Sequence, residues 1–96
     1  MRDLFLTRSK IEIERWRRIR VALWAYAYEI KNTCLVSDHV FDRECLKVDL
    51  SISTGRPDLD CWFAKEFQPH TGSWIRKHPE LNKLERIYNV LQSKAV

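Results

Sequence analysis

Apolar residues recur at spacings of three and four along most of this chain, and no segment alternates apolar with polar for long enough to predict a strand. Ser9-Lys10-Ile11-Glu12 reads as a capping box: the serine accepts from early backbone N–H groups and the glutamate reaches back. From there Trp16, Ile19, Leu23, Tyr26 or Ala27, and Ile30 form one helical stripe, with the arginines beside or opposite it. Asn32-Thr33 is a plausible stop, because asparagine tolerates the left-handed backbone that closes a helix. Ser37 is a good N-cap and Asp38 suits the positive end of a new helix. That second helix is expected from about Asp38 to Leu50, burying Phe41, Cys45 and Val48. The short linker makes the two helices an antiparallel hairpin.

Gly55 before Pro57 marks a strong break, and the proline is suited to start a helix. A short helix over residues 58–67 would turn Leu59, Trp62, Phe63 and Phe67 inward. Pro69 and Gly72 form another break. A last helix from Pro79 would bury Leu81, Leu84, Ile87, Tyr88 and Leu91. The pattern therefore predicts an all-α fold: a small single domain spanning residues 1–96, of three to five helices. The hairpin occupies residues 10–50 and further helices occupy residues 51–96.

Composition agrees with a packed domain. Of 96 residues 45% are hydrophobic, with four Trp and four Phe, enough to bury a core. The longest apolar run, residues 21–28, is far short of the ~20 residues of a membrane span. Asp3 near the start and the lack of a long apolar stretch there argue against a secretory signal. Cys34, Cys45 and Cys61, odd in number and widely spaced, fit a reduced cytoplasmic protein better than a disulfide framework.

Charge is unevenly placed. Residues 1–20 hold seven cations against three acids, and the rest of the chain holds ten of each sign, so the net charge of +4 sits at one end. Arg15, Arg17, Arg18 and Arg20 form a basic band on the first helix, a candidate surface for nucleic-acid phosphate or for an acidic protein. The plainer reading is a solvated face whose arginines pair with Glu12 and Glu14.

The stretch Y-E-I-K-N-T-C-L-V-S-D-H-V-F-D, residues 28–42, carries the most specific signal. It resembles the helix-turn-helix segment in the N-terminal subdomain of NAD-dependent DNA ligases, approximately Y-[HY]-V-x-D-x-P-x-I-[SP]-D-A-E-Y-D. The resemblance covers about residues 16–50. In that family the segment grips the nicotinamide mononucleotide half of NAD, which implies nucleotide-binding roles here for Tyr28, Asp38, Phe41 and Asp42. The chemistry is coherent. The pyridinium ring is planar and cationic, so an aromatic face attracts it. Two carboxylates one helical turn apart attract its charge and accept hydrogen bonds from ribose hydroxyls or the carboxamide.

The chain departs from the family pattern at three places. Glu29 stands where His or Tyr is usual and would repel the nucleotide's phosphate; Phe41 replaces a tyrosine; Asn32-Thr33-Cys34 replaces D-x-P. A Lys77-His78-Pro79-Glu80-Leu81 run similar to one in ligases comes much later here than in the family. No K-x-D-G adenylation motif occurs, so ligation itself is excluded. The expectation is a non-catalytic binding protein, a freestanding relative of the kind small phage and bacterial genes encode. Its partners would be nucleic acid, a nucleotide (nicotinamide mononucleotide or NAD) or an acidic protein surface. The alternative is a protein-interaction module, an inhibitor or adaptor of a host complex, with the hairpin as scaffold.

Other chemistries rank lower. No C-x-x-C or close Cys/His pairing supports structural zinc, and His39 near Cys34 is the best pair. Ser73, His70 and Asp58 or Asp60 lack any G-x-S-x-G context for a hydrolytic triad. Thr71-Gly72-Ser73 reads as an ordinary turn.

Overall fold

The computed structural model describes residues 9–94. The charges at Arg2, Asp3 and Arg8, and the segment read for a signal, lie outside the described residues. Among those described there are four α-helices and no strand: α1 (Lys10–Lys31), α2 (Asp38–Leu46), α3 (Pro57–Glu66) and α4 (Leu81–Lys94), with a 3-10 helix (Ser73–Lys77) before α4. No helix among them is long and apolar enough to cross a membrane.

The helix boundaries follow from local chemistry. Ser9 Oγ accepts from the Glu12 amide at 3.1 Å, and Ser37 Oγ from the Val40 amide at 3.2 Å, so both predicted N-caps form. Asn32 adopts φ 54°, and its N–H and that of Thr33 both donate to the Ala27 carbonyl, which ends α1. Pro57 opens α3 in the first turn.

α1 is the central strut, in contact with α2, the 3-10 helix and α4. Over residues 21–27 it is buried nearly all round, except for the half-buried Trp24. The alanines there let neighbouring backbone come close. A Cβ added at Gly72 would stand 3.3 Å from the Ala25 Cβ, so the absence of a side chain lets the turn before the 3-10 helix rest on α1. Phe63, Phe67 and Trp74 meet edge-on or tilted beneath, with ring centroids 5.0–5.8 Å apart.

Three sequence expectations are corrected. First, the buried stripe in the first half of α1 is Glu14, Arg18, Val21 and Ala22, whereas Trp16 is 48% exposed and Ile30 is also exposed. A charged pair faces inward because residues 49–60 pack over it and bring polar groups that need partners. Second, α2 ends at Leu46 rather than Leu50. The Asp49 N–H donates to Glu14 Oε2 at 3.0 Å and its carbonyl accepts from Arg18 Nη2 at 2.8 Å, which draws that backbone across α1. Third, α4 begins at Leu81 rather than Pro79. It buries Leu84 and Tyr88, leaving Ile87 and Leu91 exposed.

Cys45 is 1% exposed beneath α2, and burial, aided by the charges of Asp42 and Glu44, pushes its thiol up to about 12. Cys34 and Cys61 are exposed. In the native protein at pH 8, iodoacetamide is therefore expected to modify Cys34 and Cys61 and to leave Cys45 untouched until denaturant is added. Mass spectrometry of the intact protein reads the count; rapid triple modification would show that α2 opens.

His78 packs edge-on against Trp62, with ring centroids 4.8 Å apart, and its Nδ1 accepts from the Glu80 N–H at 2.9 Å. Burial lowers its pKa from 6.5, outweighing the opposite pull of Glu80. The unfolded chain therefore takes up a proton first as the pH falls. The stability this group contributes is present above about pH 6.5 and is lost as the pH drops toward the folded value. Urea midpoints are expected to be flat near neutrality and to decline below that point, and His78→Gln should remove the upper part of the decline. A midpoint insensitive to pH across that range would contradict it.

Candidate functional site

The last two turns of α1, the linker and the first two turns of α2 form three sides of one cleft. From α1 come Trp24, Ala25, Tyr28 and Glu29, all upstream of the left-handed stop at Asn32. That stop sends Cys34, Leu35 and Val36 across the end of the helix. Ser37 then starts α2 so that Asp38, Phe41 and Asp42, at i, i+3 and i+4, share the face turned toward α1. His70, Thr71 and Gly72 make the remaining wall, held close by the Gly72–Ala25 approach. The enclosed volume is about 290 Å³.

All four residues predicted as nucleotide contacts thus line one cavity. Tyr28 is 54% exposed, and Phe41 is half-buried with part of its ring against the core. Asp38 and Asp42 are exposed, and among the described residues neither carboxylate takes part in a hydrogen bond or ion pair. Three carboxylates and three aromatic rings line the cleft with no lysine or arginine. Its field is negative and its walls are flat, a combination that suits a planar cation. The wall at residues 70–72 and the contribution of Trp24 were not foreseen. Gly72 was the available signal, since a glycine inside a break can mark a close backbone approach.

Glu29 does not stand alone. Arg76 Nε donates to Glu29 Oε1 at 3.3 Å, and Arg76 Nη2 donates to the Glu29 carbonyl at 2.8 Å. The acid that departs from the ligase pattern is therefore paired at the edge of the cleft.

The predicted basic band is placed differently. Arg18 is a correction: it is 5% exposed and lies inside the fold rather than on a nucleic-acid surface. It donates to Glu14 Oε2 and Asp60 Oδ1, both at 2.8 Å, and to the carbonyls of Asp49 and Ile52. Asp60 also accepts from the Thr54 hydroxyl and amide. Burial pushes the Asp60 carboxyl up, but the Thr54 hydrogen bonds and Arg18 outweigh it and hold its pKa below the usual carboxylate range. Arg15 donates to the Thr54 carbonyl at 2.6 Å. Arg17 pairs with Glu14 and Glu44, and Arg20 with Glu44. The pairing expected with Glu14 is present. The more distant partners Glu44, Thr54 and Asp60 were not visible in the pattern, because they arrive from other elements.

The lesser candidates resolve into ordinary structure. Asp60 is committed to Arg18 and Thr54, which removes it from any triad. Thr71 Oγ1 accepts from the Ser73 N–H at 3.2 Å, a local turn. Among the described residues no three His, Cys, Asp or Glu side chains are grouped to hold a metal. No protein-family model matches the chain, and neither does any curated protein or solved structure.

Proposed function

We propose that this domain is a small, non-catalytic binding protein whose cleft takes the nicotinamide mononucleotide unit, free or as part of NAD. The observation that carries the reading is the convergence of Tyr28, Asp38, Phe41 and Asp42 on one cavity with both aspartates unpartnered among the described residues. Buried polar and charged side chains are normally satisfied within the fold. Exposed ones beside aromatic walls are available to a ligand. The cation meets Tyr28 and the two carboxylates, and the ribose hydroxyls find acceptors on the same helix face. A volume of about 290 Å³ is near the lower bound of roughly 300–1,000 Å³ for small-molecule sites, which favours one nucleotide unit over the complete dinucleotide. The three free thiols suit a reducing compartment such as the cytoplasm.

Phosphate contact through the first helix drops out of this reading, because Arg18 is buried and Arg15, Arg17 and Arg20 are engaged. Calorimetric titration with nicotinamide mononucleotide tests the proposal: saturable binding to one site supports it, and no heat at millimolar ligand refutes it.

One observation favours a second reading, an interaction module. A groove of about 260 Å³ between α1, α3 and α4 is floored by Ile19, Ala22, Leu59, Phe63, Leu84 and Ile87. The apolar surface continues along α4 to the exposed Val90 and Leu91. Exposed apolar patches of this kind mark protein contacts. Binding through it would be insensitive to salt, unlike binding through phosphate.

A further inference from the structure

The cleft as lined has acids and rings but no cation, so a mononucleotide seated there needs its phosphate neutralised from the edge. We propose that Arg76 is the phosphate-binding residue of the cleft, a proposal that rests on the nucleotide reading above. Its geometry carries the inference. Arg76 rises from the 3-10 helix and lays one edge of its guanidinium, Nε with Nη2, on Glu29, at 3.3 Å to the carboxylate and 2.8 Å to the carbonyl. Glu29 lines the cleft, so the guanidinium is held at its border. Nη1 has no partner among the described residues, whereas Nη2 also stands 3.3 Å from Glu29 Oε1; the side chain is 59% exposed. A guanidinium is a rigid planar fork, so fixing one edge orients the other. Nη1, with its two protons, is left to donate a charge-assisted hydrogen bond to a phosphate oxygen.

This assigns Glu29 a purpose that its charge alone conceals. An isolated carboxylate at the phosphate end would repel the ligand. Paired, it anchors the cation that attracts it and becomes a positioning residue. The cleft is then divided: Tyr28, Asp38 and Asp42 receive the cationic ring, and Arg76 receives the anion. The ligand class narrows to a zwitterion, a cationic aromatic base joined through a sugar to a phosphate ester. A terminal monophosphate and the bridging phosphate of a dinucleotide share that chemistry.

Three ligands separate the parts: nicotinamide riboside, which has no phosphate, nicotinamide mononucleotide, and NAD. In the unaltered protein the mononucleotide should bind about three- to tenfold more tightly than the riboside, the range for a partly exposed charged hydrogen bond. In Arg76→Ala that ratio should fall to one or below, because the freed Glu29 carboxylate then repels the phosphate and does not weaken the cationic riboside. Arg76→Lys should restore part of it. Lys77→Ala, a neighbouring cation on the same 3-10 helix that pairs with Glu66 outside the cleft, should leave the ratio intact. NAD losing affinity with the mononucleotide in Arg76→Ala would extend the contact to a bridging phosphate; loss for the mononucleotide alone would confine it to the terminal one, and both support the assignment. Arg76 is exposed and outside the core, so its variants should fold with an unchanged melting temperature. An unchanged ratio in Arg76→Ala, or a ratio that collapses equally in Lys77→Ala, overturns the assignment while riboside binding keeps the cleft reading. No binding of the riboside or the mononucleotide overturns both.

Discussion

Replacing Arg18 with alanine is expected to unfold the domain or to lower its melting temperature by more than ten degrees. The change takes from Glu14, 1% exposed, its 2.8 Å partner and leaves only the longer contact with Arg17 at 3.3 Å. It also strips donors from Asp60 and from the carbonyls of Asp49 and Ile52. Removing one partner of a buried pair costs about 3–5 kcal/mol, against a total stability of roughly 5–15 kcal/mol for a domain. Each 1 kcal/mol moves the midpoint by about 4–8 °C at this size. Two controls make the result specific. Arg20→Ala removes only a surface pair with Glu44 and should cost about 1 kcal/mol or less. The double change Glu14→Leu with Arg18→Leu should cost less than the two single changes summed, because neither member of the buried pair is left without the other, while Asp60 keeps its Thr54 donors. Thermal unfolding followed by circular dichroism reads all of these. A shift of only a few degrees in Arg18→Ala would show that the network does not hold residues 49–60 against α1.

The second large effect is on binding. Asp38→Asn combined with Asp42→Asn is expected to weaken nicotinamide mononucleotide at least tenfold, about 1.4 kcal/mol, through loss of two charges facing the pyridinium. Stability should barely change, since neither carboxylate holds a partner among the described residues. Asp38 lies in the first turn of α2 and favours the helix dipole, so a loss of about 0.3–1 kcal/mol is expected from that source alone. The amide isosteres keep the shape and one acceptor oxygen each but turn the other into a donor, so the comparison reads the charge together with one lost acceptor per residue. Tyr28→Ala should weaken the ligand also without unfolding, because the ring is exposed. Phe41→Ala is a poorer probe, since its ring packs against the core. Unchanged affinity in the double variant would remove the aspartates from the site; a large fall in melting temperature would mark them as structural.

How far the sequence reaches depends on whether the deciding contacts are local. The caps at Ser9 and Ser37, the left-handed stop at Asn32 and the proline start of α3 are set by neighbours no more than six residues apart, and each is readable. The cleft was readable for the same reason. Tyr28, Asp38, Phe41 and Asp42 lie within fifteen residues, and two helices joined by a capped turn bring them together. Arg18 was misplaced because a helical stripe sorts residues by polarity, and arginine counts as outward until an acid arrives to bury it. Asp60 is 42 positions away in α3, and it is placed only when the carbonyls of Asp49 and Ile52 dock on the same guanidinium and Thr54 bonds its carboxylate. Trp16 and Ile87 err in the opposite direction: apolar residues sit outside because the elements available to cover them pack elsewhere. The 3-10 helix is too short for periodicity to reveal, and with it went the fourth wall of the cleft and Arg76.

The cleft between α1, α2 and residues 70–72 is proposed to take a nicotinamide nucleotide. Titrating the isotope-labelled protein with nicotinamide mononucleotide and following its backbone amide shifts tests that most directly. The account predicts saturable shifts confined to residues 24–29, 34–42 and 70–76. No shift at millimolar ligand, or shifts gathered instead along the groove of Ile19, Leu59, Leu84 and Ile87, would contradict it.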